Sequence, residues 1–298
     1  ASTCWGIKPE YIIPGNGAAE LIKALTENLD GKVGVVRPTF EEYPNRLSAE
    51  QVVTFVPQDE SFRYGASDMI EFFGANPVET LLLINPDNPS GNFIPLEGVH
   101  QLAQWCEERG MRFVLDESFV DFSVGYAHNS FLDNSLMEKY PHMCVLKSIS
   151  KSYGVPGLRL GILCSADTDL IARMKKQVSI WNINSFAEFY MQIYSKYEVD
   201  YHAACHKFQA ERRRFFALLQ SIPFLRVTPS QANYFLCEVL SPYTSHGLVA
   251  AMLRRYNILL KDCSTKRAFD GRNYIRIAIR NHVDNDRLIA ALRDVEGK

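Results

Sequence analysis

The chain has 298 residues, 47% hydrophobic and 22% charged, with 32 basic residues against 34 acidic ones for a net charge of −2. That composition excludes a disordered or collagen-like chain, and the near-balanced charge offers no broad field to nucleic acid or an anionic membrane. What remains is a soluble globular protein that works on small molecules.

In chain order, "AAELIKALTENL" (18–29) puts Leu21, Ile22, Leu25 and Leu29 on one face and predicts a helix. "KVGVVR" (32–37), "QVVTFV" (51–56) and "TLLLIN" (80–85) are near-continuous apolar runs, the pattern of strands buried on both faces of a parallel sheet. "LEGVHQLAQWCEERG" (96–110) predicts a helix ending at glycine, and "RFVLDE" (112–117) and "MCVLKS" (143–148) predict two more strands. This alternation predicts an α/β fold with a mostly parallel central sheet flanked by helices, residues 11–165 forming a large domain. From about residue 166 the texture changes. A long helical stretch (roughly 185–220) is followed by "RVTPSQANYFLCEV", a helix near 246–255, the strand "NYIRIAIR" and a closing helix. Residues 166–298 are therefore expected to supply a connecting helix and a smaller α+β domain.

Seven cysteines, Cys4, Cys106, Cys144, Cys164, Cys205, Cys237 and Cys263, are odd in number and form no CxxC pair. They read as reduced thiols. No apolar run approaches the roughly 20 residues needed to span a bilayer and no signal-peptide pattern opens the chain, so the cytoplasm is the expected location.

Polar residues interrupt the pattern at strand ends, where ligands bind in open α/β sheets. "PGNGAAEL" (14–21) is a glycine-rich turn entering a helix, whose free amides suit a phosphate, although such a turn is often only a helix entry. In "NPDNPSGN" (85–92), Asn88 is placed to hydrogen-bond a ring substituent, and Asn-Pro is also ordinary turn chemistry. Asp116 in "LDESFVDF" (115–122) ends a buried strand and needs a cationic partner or a salt bridge. In "VLKSISKSYGVPGLRLGI" (145–162), Ser148, Ser150 and Arg159 surround Lys151, so that two hydroxyls and a guanidinium can hold a phosphate beside an amine. Lys147 in the same stretch reads as a solvated surface lysine. A phosphate cradle, a donor to a ring oxygen, a carboxylate for a ring nitrogen and an imine-forming amine together match the requirements of pyridoxal phosphate.

With "GNGAAE", "NPDNPSG", "DESFVDF", "SISKSYGVPGLRLG" and "RIAIR" in that order, the chain resembles the fold-type-I, class I/II aminotransferases, in the histidinol-phosphate aminotransferase and threonine-phosphate decarboxylase branch. The resemblance implies pyridoxal phosphate as cofactor, Lys151 as the imine-forming lysine and proton shuttle, and Asp116 as the partner of the pyridinium nitrogen. It implies that Asn88 bonds the ring oxygen and that Phe40 in "RPTFEEY" stacks on the ring, with Tyr43 as the alternative. Ser148, Ser150 and Arg159 would bind the phosphate with the amides of Gly17, Ala18 and Ala19. Arg276 would grip the substrate α-carboxylate. Arg280, four residues on in the same strand, is expected to face the same side, to hold a second anion such as a substrate phosphate or phosphonate, or to form a salt bridge.

Two departures stand out. Phe119 occupies the place where transaminases of this family carry a tyrosine; the decarboxylase branch is similar to this chain in having phenylalanine there, and Tyr153 or another hydroxyl is the candidate replacement. Only 14 residues precede Gly15, where the family has a further N-terminal arm, so the chain is expected to be a fragment, a processed form or one part of a larger polypeptide. The implied activity is amino transfer between an amino acid or amine and a 2-oxo acid. The alternatives are decarboxylation of a phosphorylated or phosphono amino acid, and a cofactor-binding fragment without turnover. The implied partner is a second copy, as a homodimer. "HAACH" (His202, Cys205, His206) has possible metal spacing but lacks a fourth ligand, and no metal is expected. "ERRRF" (211–215) reads as a solvated charge run.

Overall fold

The structure is a computed structural model and describes residues 2–296. Its first sheet has seven strands: β1 (Ile12–Asn16), β2 (Val33–Val36), β3 (Val52–Phe55), β4 (Thr80–Ile84), β5 (Arg112–Asp116), β6 (Met143–Ser148) and β7 (Leu160–Cys164), in the order β1-β7-β6-β5-β4-β2-β3. Strands β3, β2, β4, β5 and β6 run parallel, while β7 is antiparallel to both its neighbours. The apolar runs at β2, β4 and β6 are buried along their whole length, because helices cover both faces.

β1 and β7 escape the sequence pattern, since "IIPGN" and "LGILC" are interrupted by proline or glycine. The packing explains the interruption. A Cβ on Gly161 would lie 2.7 Å from the Ala18 amide nitrogen, so only glycine lets β7 pass beneath the helix Ala18–Thr26. That helix buries Leu21, Ile22 and Leu25, and the helix Leu96–Glu107 buries Val99, Leu102 and Cys106. The first sheet's core extends past residue 165: Leu170, Ile171 and Met174 pack on one face and Ala187 on the other.

The second sheet is antiparallel: β8 (Leu225–Val227), β9 (Tyr234–Val239), β10 (Lys261–Asp262) and β11 (Tyr274–Ala278), ordered β10-β11-β9-β8. Its core, including Phe215, Phe235, Ile275, Ile277 and Leu292, is closed by the helices Glu198–Gln220, Ser245–Tyr256 and His282–Glu296. The stretch expected to be helical over 185–220 divides into Ser185–Ile193, a tight turn at Tyr194–Tyr197, and Glu198–Gln220.

The long helix joins the two sheets through a residue the sequence misplaces. Arg212 is buried rather than solvated, and its Nη1 donates to the carbonyls of Phe122 (2.6 Å) and Gln231 (2.8 Å). Desolvation lowers its pKa to about 10, and the carbonyls satisfy the guanidinium where no carboxylate does. Arg213 and Arg214 are exposed, as expected of a charge run. In "HAACH", Cys205 is buried and His202 Nδ1 shares a hydrogen bond of 2.5 Å with the Tyr126 hydroxyl. Among the described residues no helix is long and apolar enough to cross a membrane.

Candidate active site

The carboxyl ends of β4, β5 and β6 open into an inner cavity of about 120 Å³. It is roofed by the start of the helix Ala18–Thr26 and continues outward into a cleft of about 480 Å³ bounded by β11. Phe40, Asn88, Phe119 and Lys151 line both spaces. Residues separated by more than 200 positions thus meet where the strands run out.

Lys151 projects from the one-turn helix Ile149–Ser152 that follows β6. Its pKa is lowered, first by desolvation, then by the nearby charges of Arg276 and Arg159, with Asp116 partly offsetting them. A lowered lysine pKa raises the fraction of free amine, the form that attacks a carbonyl. Ser148, three residues earlier on the same face, also lines the inner cavity. Ser150 lies on another face. Its hydroxyl accepts from Leu160 N at 2.9 Å and donates to Leu160 O at 3.3 Å, so it pins the incoming end of β7 and does not reach the cavity as expected for a phosphate ligand.

Asp116 is 3% exposed. Its Oδ1 accepts from Ser118 N and its Oδ2 from the Tyr43 hydroxyl, each at 2.9 Å. Burial raises its pKa against the opposing pull of those donors and of Lys151. Both donors are neutral, so this buried carboxylate still suits a cationic partner in the cavity it borders.

One end of the inner cavity is built from Ala18 and Ala19 at a helix start and from Arg159. Arg159 has φ 52 and ψ 63, a left-handed conformation unusual for a residue with a side chain. It packs its guanidinium so closely on Gly17 that a Cβ there would lie 2.6 Å from Nη2. Gly17, itself at φ 75, is required on both counts.

On the outer side, the Asn88 Oδ1 accepts from Arg276 Nη1 at 2.8 Å. Its Nδ2 is thereby left as the donor on a residue that lines the cavity. Arg276 lies over the Tyr234 ring, 4.8 Å from its centroid, a cation–π contact that helps hold the guanidinium in place. Tyr234 donates its hydroxyl to the Asp87 carbonyl at 2.7 Å and meets Phe119 edge-on at 5.2 Å.

Besides Ser150, four expectations change here. Tyr43 does not stack on the cavity; it is 2% exposed and bonds Asp116 from the sheet side, leaving Phe40 on the lip. Tyr153 stacks on Tyr201 at 4.4 Å, outside the lining of both spaces, and supplies no hydroxyl in place of the one Phe119 lacks. Lys147 is 3% exposed and forms an ion pair with Asp121 at 2.7 Å, because its place within β6 turns it into the protein. Arg280 lies beyond the end of β11, exposed, and pairs with Asp284 at 2.7 Å; the strand ends before alternation can bring it beside Arg276. The sequence reading missed Lys261 and Lys266, which line the cleft beside Arg276. The register across β10 and β11 sets Lys261 opposite Arg276, a pairing that no local pattern announces.

Residues 4–292 match the family model of aminotransferase class I and II. The chain belongs to that family. In sequence it is 32% identical over 299 residues to the CMP-5'-(3-aminopropyl)phosphonate synthase of Streptomyces rubellomurinus, a match covering all of this chain and 46% of that protein. The chain thus spans less than half the length of that relative. It is 29% identical over 296 residues to the L-serine phosphate decarboxylase Cj1436c of Campylobacter jejuni, covering 97% of this chain and 75% of that one. The structure of the histidinol-phosphate aminotransferase from Clostridium acetobutylicum superposes with a TM-score of 0.88 at 26% identity, over 99% of this chain and 86% of the other. The seven-stranded sheet with its small antiparallel partner is accordingly the fold-type-I architecture of pyridoxal-phosphate enzymes, in the branch that includes both aminotransferases and decarboxylases.

Proposed function

We propose that the chain binds pyridoxal phosphate and acts on an amino acid with a second, distal anion, removing its α-carboxylate as carbon dioxide. The observation that carries this reading is the charge layout of the outer cleft: Lys261, Lys266 and Arg276 line the same cleft as Lys151, and the two carboxylates that share it, Glu41 and Glu42, are paired with Arg37 and Arg46. A substrate with two anions suits this grouping better than one with a single carboxylate.

The residues present fit the cofactor. A buried carboxylate with neutral donors suits a protonated ring nitrogen, and a helix start with an arginine against a glycine suits a phosphate. Bound there, pyridoxal phosphate would supply an aldehyde for an amine and a ring that accepts electrons from the substrate α-carbon. Lys151 would present its amine to the aldehyde. Ser148, Arg159 and the amides of Ala18 and Ala19 would hold the phosphate, and Asp116 would keep the ring nitrogen protonated. Asn88 would donate Nδ2 to the ring oxygen while Phe40 covers one ring face.

The residues that orient the two anions would choose which bond at the α-carbon yields its electrons to that ring. Phe119, buried and 5.8 Å from Lys151 Nζ to its ring centroid, presents an apolar surface without a hydroxyl. A carboxylate set against it is poorly solvated, and loss of carbon dioxide disperses its charge. The names of two relatives, a phosphonate synthase and a serine phosphate decarboxylase, accord with this substrate class.

Amino transfer to a 2-oxo acid is the second reading, favoured by the likeness to a histidinol-phosphate aminotransferase and by a rigid Arg276 able to hold the carboxylate near the ring plane. The test supplies O-phospho-L-serine, O-phospho-L-threonine and phosphono amino acids with and without 2-oxoglutarate. Acceptor-independent carbon dioxide release over many turnovers, with the amine retained, upholds decarboxylation. Strict dependence on the 2-oxo acid upholds transfer instead.

A homodimer also belongs to this proposal. Ile180, Trp181, Phe186 and Phe189 are exposed beside an apolar groove lined by Leu160, Ile162 and Met191, a patch that a second copy would cover. Light scattering that finds only monomer with cofactor bound would refute it.

A further inference from the structure

We propose that Tyr43 is a positioning residue that sets the basicity of Asp116, and through it the protonation of the cofactor's ring nitrogen. The inference rests on the reading that Asp116 faces that nitrogen.

The geometry separates Tyr43 from residues that merely line the site. It lines neither the inner cavity nor the outer cleft. It is packed with Ile84, Val114 and Cys144 behind the strand ends, and from there its hydroxyl reaches Asp116 Oδ2 at 2.9 Å. The Ser118 amide holds the other carboxylate oxygen at the same distance, so the carboxylate is fixed at both oxygens. The two donors are not equivalent. A backbone amide cannot be removed by a side-chain change, whereas the phenol is a neutral, tunable donor to a buried anion.

Hydrogen bonding to the charged form lowers a carboxylate's affinity for protons, and burial raises it. Asp116 is subject to both, with burial the largest effect, opposed first by the Ser118 side chain and amide and then by the Tyr43 bond. Burial and the Asp116 charge also push the Tyr43 phenol well above its ordinary range, which keeps it protonated and donating throughout the neutral range. The other titratable groups facing the pair are Lys151 and Tyr234 on the Asp116 side and Cys144 beside Tyr43. Without the phenol, Asp116 would hold a proton more tightly, and a proton shared with the ring nitrogen would move toward the carboxylate. A less positive ring withdraws fewer electrons, so the visible band of the bound cofactor should change form at higher pH.

The experiment uses the cofactor-loaded protein carrying ring-15N pyridoxal phosphate. Tyr43→Phe keeps the ring that fills the sheet-side pocket and removes only the hydroxyl. The expected result is a 15N shift toward neutral pyridine and an upward move of about half a pH unit or more in the band's transition, with cofactor affinity within a fewfold. Replacement of Tyr43 by 3-fluorotyrosine, a near-isosteric and stronger donor, should move both signals the opposite way. This second variant keeps the test decisive if the phenylalanine variant folds poorly. Unchanged signals in the folded variants overturn the proposal. Asp116→Asn separates the two levels: if it moves the 15N signal while the Tyr43 variants do not, only Tyr43's role fails; if it too leaves the signal unmoved, the pairing of Asp116 with the ring nitrogen fails.

Discussion

The Arg276 guanidinium donates to the Asn88 side-chain oxygen at 2.8 Å, joining β11 of the small sheet to the loop that follows β4 of the large one. One bond therefore links the proposed substrate-binding arginine to the proposed cofactor-binding amide. Arg276→Ala should weaken a two-anion substrate by about 2–5 kcal/mol and also disturb the cofactor's spectrum, because the Asn88 amide loses the contact that orients it. Arg276→Lys restores the charge without the planar fork. It should recover part of the KM effect and little of the spectral one. A lysine variant equal to the parent in both would show that charge alone matters at this position.

Two lysines four residues apart should behave oppositely. Lys151→Ala should abolish covalent attachment of the cofactor, and borohydride reduction with peptide mapping of the parent protein should label Lys151 alone. Lys147→Met should leave the label in place but destabilise the protein by about 3–5 kcal/mol, because Asp121 is left as an unpaired buried charge. A further Asp121→Leu change should recover much of that loss in urea unfolding. A label on Lys147 would overturn the assignment.

The parallel strands and the large helices are legible because buried strands and amphipathic helices write their burial in local composition, as "TLLLIN" and "AAELIKAL" do. β1 and β7 are not, since close packing at Gly15 and Gly161 imposed glycine where a strand pattern calls for an apolar side chain. The same division holds within the site. Lys151, Asp116, Asn88 and Arg159 stand at strand ends or in turns, where a polar residue is conspicuous. Tyr43, Lys261 and Lys266 are placed by tertiary packing and cross-strand register. Lys147 and Arg212 read as solvated charges because a sequence does not reveal that Asp121, or two backbone carbonyls, will be waiting inside.

Asp87 gives a pH signature. It is 2% exposed, and burial raises its pKa to about 7 against the pull of the Ser90 hydroxyl and nearby amides. Between its ordinary value of 3.8 and about 7, the folded state holds a proton that the unfolded state has lost. Its contribution to stability therefore falls as pH rises through that window and is flat above it. From pH 5 to pH 8 the loss is on the order of 2 kcal/mol. Asp87→Asn should remove that part of the slope in urea unfolding at the two pH values. An unchanged slope would mean that Asp87 is ionised in the fold.

The last prediction concerns the hydroxyl that Phe119 lacks. Phe119 borders both the inner cavity and the outer cleft, close to Lys151 and edge-on to Tyr234. The Tyr234 hydroxyl is committed to the Asp87 carbonyl, so it does not make up the deficit. Phe119→Tyr adds a donor at the rim of the inner cavity without changing the ring that fills it. If the apolar face promotes loss of carbon dioxide by leaving the carboxylate poorly solvated, the new hydroxyl should slow that release and favour proton removal at the same carbon. A single hydrogen bond contributes about 0.5–1.5 kcal/mol net, so the ratio of carbon dioxide released to amino group transferred should fall by roughly two- to tenfold. The measurement is that ratio, taken with O-phospho-L-serine in the presence of 2-oxoglutarate and compared with the pH transition of the cofactor's visible band. A transition that moves down in pH while the ratio holds constant would show that the hydroxyl reaches the cofactor but that solvation of the carboxylate does not choose the reaction.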